Sequence, residues 1–222
     1  MFNMISIKKS LTSGLCIAMG VFVFLSCDNK YVGAVMFSLG LFCVCEYKLN
    51  LFTGMIGFAV ENTKSQGVKH ILDLLKVVFF NMIGIAFMCF LLSFTASQET
   101  IDKATNIVET SVTLSPISLL VKSMMCGVIM LLAVDRYRNC EGISKFVAIF
   151  MGIPVFILSG YYHSIAYVGY LTLGICGGNL TSNVTIPKII YVIIFAVIGN
   201  ALGSILMRYL TTQKSKELVT TK

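Results

Sequence analysis

Groups able to do chemistry are sparse in this chain, and one stands where plain packing would not put it. His163 sits in Phe156-Ile-Leu-Ser-Gly-Tyr-Tyr-His163-Ser-Ile-Ala166, with apolar sequence on both sides, from Phe146 to Leu158 and from Ile165 to Ile175. Together these flanks are long enough to cross a bilayer, which takes about 20 helical residues. Ser159-Gly160 precede the histidine and Gly169 and Gly174 follow it. The run therefore reads as two half-spans with a soft joint, which puts the imidazole near mid-membrane. Ionisable groups at that depth are costly and by default line a pathway. The chemistry available is hydrogen bonding or proton exchange with something that passes, because histidine titrates nearest to physiological pH. The competing reading is a satisfied histidine that bridges helices.

Three more polar residues are candidates. Thr53 lies where a second apolar run breaks, and its plain reading is a helix cap. Lys48 lies in the same break and is open to pairing with Glu46, snorkelling, or drawing anions into a pore. Lys122 stands about one turn inside its span, where snorkelling and vestibule lining are both open. His70 reads as a solvated loop residue. The eight cysteines (Cys16, Cys27, Cys43, Cys45, Cys89, Cys126, Cys140, Cys176) sit mostly in apolar runs and read as small hydrophobes. No pair has zinc-finger spacing, and Cys43-x-Cys45 is a weak metal signal. No metal and no cofactor is expected.

The elements that must hold these residues follow from composition. The 222 residues are 57% hydrophobic and 12% charged, with a mean hydropathy of +0.88. So little charge excludes a soluble domain of this size and implies an all-α integral membrane protein. The net charge of +7 is loop charge that orients spans, and no nucleic-acid partner is implied. No cleavable signal is expected, because the first apolar run is itself a span. Apolar runs cover Leu11–Ser26, Tyr31–Cys45 resuming at Leu51–Val60, Asp73 to about Phe94, Pro116–Val134, the run around His163, and Pro187 to about Leu210. That predicts six transmembrane helices, with spans two and five interrupted. Ser97–Thr113 reads as a polar, mildly acidic loop, and Pro116 as a helix start.

Basic residues mark the N-terminus, the loop after span two (Lys64, Lys69), the loop after span four (Asp135-Arg136-Tyr137-Arg138 with Lys145) and the tail. The loops after spans one, three and five are neutral or acidic. This alternation places both termini in the cytoplasm. Each half has three spans and its second span is broken, so the halves are inverted. Such repeats hold their site at the midplane, and irregular backbone at that depth must be buried in protein or line a cavity. The expectation is a single transmembrane domain over residues 1–222, with repeat one at about 10–95, repeat two at about 116–211, and short cytoplasmic tails.

Phe37-Ser-Leu-Gly-Leu41, Leu51-Phe52-Thr53-Gly54, Gly160-Tyr-Tyr-His163-Ser-Ile-Ala166 and Gly199-Asn200-x-x-Gly203 resemble, in order and spacing, the formate/nitrite transporter family. The resemblance covers nearly the whole membrane region. It implies an aquaporin-like inverted repeat that forms a homopentamer with one pore per protomer in the cytoplasmic membrane. It also implies a pore for small monovalent anions of weak acids, such as formate, nitrite or hydrosulfide, with protons and the lipid bilayer as the other partners. His163 would stand between apolar constrictions made by Phe37, Leu41, Leu51, Phe52, Met130 and Phe156, with Thr53 as the pore threonine. Three positions depart from the family pattern. Tyr167-Val168 replace its Asn-Met, Gly127 replaces an asparagine of span four, and Ser111 takes the place of a vestibule lysine. Lys48 or Lys122 is expected to supply that charge instead.

Two other functions compete. A neutral-solute pore of the water or glycerol kind would use the same fold, but the paired Asn-Pro-Ala boxes of aquaporins are missing. A membrane enzyme would need convergent histidines, cysteines or carboxylates. The chain has two histidines, far apart, and Glu46 is its one clear intramembrane carboxylate.

Overall fold

The computed structural model describes residues 6–59 and 68–220. Among them every regular element is a helix. In chain order these are α1 (Ile7–Ser26), α2 (Lys30–Glu46), α3 (Phe52–Met55) running into a 3-10 turn (Ile56–Phe58), α4 (Val68–Ser93), α5 (Gln98–Ser111), α6 (Pro116–Asn139), α7 (Ser144–Leu158), α8 (Ser164–Gly177) and α9 (Ile186–Thr220). Helices α1, α6 and α9 and the α4 stretch from Lys69 are long and apolar enough to cross a membrane, and α7 and α8 are shorter apolar helices. The chain leaves the helical path over Tyr47–Leu51 and again over Ser159–His163.

Side chains start several of these helices by satisfying exposed N–H groups. Asn29 Oδ1 accepts from Tyr31 N at 2.9 Å and Val32 N at 3.2 Å. Ser115 Oγ accepts from Ser118 N at 3.3 Å ahead of Pro116. Pro116 does open its helix as expected, where a missing N–H costs nothing.

The two halves repeat each other in packing. Helix α1 packs most extensively on α4, and α6 on α9. In the first pair a Cβ on Gly14 would collide with the Asn81 carbonyl, and one on Gly84 with the Leu11 carbonyl. In the second pair Gly127 faces the Asn200 carbonyl, and Gly203 the Met124 carbonyl, just as closely. Small residues let backbones approach in this way within membranes. The sequence spells the match as Ser10-x-x-x-Gly14 against Ser123-x-x-x-Gly127, and Asn81-x-x-Gly84 against Asn200-x-x-Gly203. Gly127 has no room for the asparagine side chain of the family pattern.

Several expectations need correction. The predicted loop at Ser97–Thr113 is mostly helix α5, with Thr100, Ile101, Ala104, Thr105, Val108 and Ser111 buried along one face. Its polar composition hides a stripe of helical period. His70 lies in the first turns of α4 and is 2% exposed, so it is not a solvated loop residue. The basic stretch after span four belongs to α6, whose last turn carries Arg136 and Arg138, cations well placed at a helix C-terminus. Cys176 is exposed, while Cys16, Cys89 and Cys126 are buried. Lys64 lies outside the described residues.

Candidate functional site

The two non-helical segments meet in the interior. His163 is the last extended residue before α8 and caps it, with Nδ1 accepting from Ala166 N at 3.1 Å. A nitrogen that accepts carries no proton, so the neutral ring has its proton on Nε2. Nε2 lies 2.9 Å from Thr53 Oγ1 and therefore donates to it. His163 is 4% exposed and Thr53 is fully buried. Thr53 lies inside α3 and caps nothing; Leu51 is the residue at the cap position. Protonating Nδ1 would set two N–H groups against each other.

Two asparagines that sequence reasoning had not singled out as site residues hold the segments in place. Asn81 Oδ1 accepts from Phe52 N at 2.9 Å, and its Nδ2 donates to Ser10 O and Asn50 O, each at 2.8 Å. Asn200 Oδ1 accepts from Ser164 N at 2.9 Å, and its Nδ2 donates to Ser123 O and Tyr162 O, each at 2.8 Å. Each amide satisfies the first N–H of a half-helix and a carbonyl two residues earlier, and ties both to the partner helix. Both asparagines are fully buried, and both donors of each amide are used. The signal that finds them is the repeated Asn-x-x-Gly.

All six expected constriction residues are buried, none more than 3% exposed. Phe37 meets Phe156 edge to face, with centroids 5.6 Å apart, and Phe156 lies 5.9 Å from the His163 ring. This geometry is favourable for aromatic pairs, and it sets Phe156 beside the histidine with Phe37 behind it. Leu51 and Phe52 lead into α3 beside Thr53, while Leu41 and Met130 lie in the same apolar core.

A cavity of about 420 Å³ opens onto this stack, with Phe156 and His163 in its wall. Lys30, Lys103 and Lys122 line it against the single acid Asp28, together with Tyr161, Tyr162, Tyr167 and Tyr170. Lys122 Nζ is 3.5 Å from Gly160 O, in the second break. Lys48 does not line this cavity. It is exposed, with φ +50°, and its carbonyl accepts from Lys9 Nζ at 3.3 Å. Glu99 of α5 pairs with Lys103 of this wall at 2.8 Å, while Asp102 accepts from Gln98 Nε2 and Asn179 Nδ2 and Glu109 accepts from Thr181 N at 3.0 Å, which leaves Lys30 and Lys122 against Asp28. The mouth is left net positive. Two departures from the family pattern touch each other here, because the oxygens of Ser111 and Tyr167 are hydrogen-bonded at 3.1 Å. Among the described residues no three histidine, cysteine or acidic side chains gather as a metal would need.

Residues 4–212 match the family model described as formate/nitrite transporter. The chain belongs to the formate/nitrite transporter family. It is 26% identical over 214 residues to the nitrite transporter NirC of Escherichia coli (strain K12), covering 90% of this chain and 79% of that one. NirC of Salmonella typhimurium is 25% identical over 211 residues, covering 89% and 78%. A solved FNT family ion channel superposes with a TM-score of 0.85 at 22% identity, covering 94% of this chain and 89% of that one. A pentameric formate channel with formate bound gives 0.77 at 18% identity, covering 97% and 96%. Membership makes this chain a membrane transport protein and excludes the enzyme reading. The two solved structures establish that its helices follow the fold of the family.

Proposed function

We propose that this chain passes small monovalent anions of weak acids, formate or nitrite in kind, through a pore inside each protomer. The observation that carries the reading is the His163–Thr53 contact across the two breaks, with Phe156 against the ring and Phe37 behind it, beside the basic cavity. A bare anion in a dry aromatic constriction loses its hydration at a cost of several kcal/mol, whereas the neutral acid loses little. Lys122 and its neighbours gather the anion, the anion takes a proton in the mouth, and the neutral acid crosses the rings. The Nε2–H and the Thr53 hydroxyl replace its water contacts on the way. The proton is released with the anion on the far side.

The remaining architecture follows from the same reading. Helices α1, α4, α6 and α9 each cross once, and α2–α3 and α7–α8 make two interrupted crossings, six in all. Both termini face the cytoplasm, in keeping with the basic loops. Five protomers assemble in the cytoplasmic membrane, as the formate channel of like fold does. A neutral-solute pore would have no use for Lys122 in the mouth, a lysine with no carboxylate partner among the described residues.

Two measurements test this. Uptake of formate, nitrite, hydrosulfide and acetate into proteoliposomes should rise as the outside is acidified from pH 7 to 6. The ceiling for formate is about tenfold per unit, the gain in its neutral fraction above an acid pKa near 4. Flat pH dependence for every substrate would remove the neutral-acid route. Separately, Lys122→Met should slow uptake about tenfold at low salt and less at high salt, since focused charge raises encounter rates and salt screens it. Lys48→Met should stay within about twofold, given its place outside the cavity. Equal effects of the two substitutions would contradict the assigned mouth.

A further inference from the structure

Lys48 is left without a task by the transport site, and its backbone is unusual. The two breaks are built alike. In the first, Lys48 N donates to Cys45 O at 3.2 Å and Leu49 N to Val44 O at 2.9 Å; in the second, Gly160 N donates to Ile157 O and Tyr161 N to Phe156 O, at 3.1 and 3.0 Å. Both are Schellman ends, whose left-handed position usually takes glycine. Gly160 fills it in the second break, at φ +64°. Lys48 fills it in the first, and is the only non-glycine among the described residues with a positive φ. That conformation strains a residue with a Cβ, and such strain clusters where ligands are held. Charge gathers at the same place. Lys9 Nζ lies 3.3 Å from the Lys48 carbonyl, and Lys8 adjoins Lys9. Among the described residues none of these three lysines is ion-paired. Glu46, two residues before Lys48, accepts from the Tyr137 hydroxyl, and Asp73 pairs with Lys76.

We infer that Lys8, Lys9 and Lys48 form a seat for the phosphate of an anionic phospholipid. The patch faces outward: Lys8 and Lys48 are exposed, as are Tyr47 at 71% and Ile7 at 53%. Lys8, Leu15 and Met19 follow at spacings of seven and four, so they share one face of α1, and all three are at least partly exposed. Lipid chains that cover Leu15 and Met19 bring a headgroup to Lys8. A tyrosine beside exposed apolar residues suits the headgroup level, where amphipathic rings collect. Lysine ammoniums hold phosphate as point charges, so the seat reads the charge of the headgroup. The orientation proposed above puts it in the cytoplasmic leaflet, whose acidic lipids attract basic segments. The seat needs only that the chain lies in a bilayer, and stands or falls apart from the route of the substrate.

The test is thermal unfolding of the assembled protein in a neutral detergent, with short-chain phosphatidylglycerol, phosphatidylcholine of the same chains, or inorganic phosphate added. Phosphatidylglycerol should raise the melting temperature by several degrees as it fills the seat. The other two should not do so at equal concentration, a comparison that stands on the unaltered protein alone. Lys48→Gly should melt at or above the unaltered protein without lipid, because the strain is relieved. It should need about fivefold more phosphatidylglycerol for the same rise, and Lys8→Gln added to it about 25-fold, the effect of one and of two lysines at an acidic surface. Lys69→Gln removes an exposed charge at the start of α4 and should change the requirement less than about twofold. An equal rise with phosphatidylcholine or inorganic phosphate, an undiminished response of Lys48→Gly, or an equal loss in Lys69→Gln would overturn the seat. Loss of the assembled size in Lys48→Gly would overturn it as well, by placing a second copy of the chain on these lysines.

Discussion

His163→Phe is expected to lower anion uptake by about 3- to 10-fold while the protein still assembles. The ring donates to Thr53 across the two breaks, and a donor lost to the passing neutral acid is worth about 0.5–1.5 kcal/mol, which sets that range. The same ring caps α8, and losing a cap costs only about 1 kcal/mol, too little to undo so extensive a core. His163→Asn separates the two roles. Asparagine is a strong N-cap, so α8 should keep its start, but the shorter side chain cannot reach Thr53. The asparagine variant should therefore fold like the unaltered protein and transport like the phenylalanine one. The check is uptake from pH 5 to 8 for all three proteins, with assembly followed by size. Normal uptake by His163→Asn would reduce the histidine to a structural cap.

The second large effect concerns stability. Asn200→Leu keeps the side-chain volume but strands Ser164 N–H, Ser123 O and Tyr162 O in the interior. Each orphaned buried backbone group costs about 1–3 kcal/mol, so a loss of 3 kcal/mol or more is expected. That is a large part of typical stability. Asn81→Leu should do the same in the other half, because its three bonds are equivalent. Thermal unfolding in detergent, read by loss of the assembled species, gives the order. An Asn200→Leu protein that melts with the unaltered one would show that the amide is dispensable.

Much of this was legible because membranes make polarity informative. An imidazole and a Lys-Leu-Asn break interrupt otherwise apolar runs, so the segments around His163 and Thr53 stand out, and the family motifs bring the phenylalanines with them. Helix α5 was less legible, since its buried stripe is made of threonine, serine and alanine as much as of isoleucine and valine, and its net polarity mimics a loop. His70 was misplaced for the related reason that charged neighbours on an exposed helix face say nothing about the buried face. The internal symmetry was visible only weakly as hydropathy. It lies more plainly in the paired Asn-x-x-Gly and Ser-x-x-x-Gly spacings, whose meaning is backbone contact. The contact of Ser111 with Tyr167 spans 56 positions and joins two neutral hydroxyls, for which no sequence pattern exists.

The cap on α8 has a consequence for bioenergetics. A histidine that conducts protons must accept at one ring nitrogen and release from the other, turning over through both tautomers. Here the Nδ1 lone pair is occupied by the Ala166 N–H, and Nε2 points at Thr53. A ring held this way is a poor relay for free hydronium. On the proposed route a membrane carrying a steep proton-motive force would hold this protein without being short-circuited, with protons crossing as passengers on the acid.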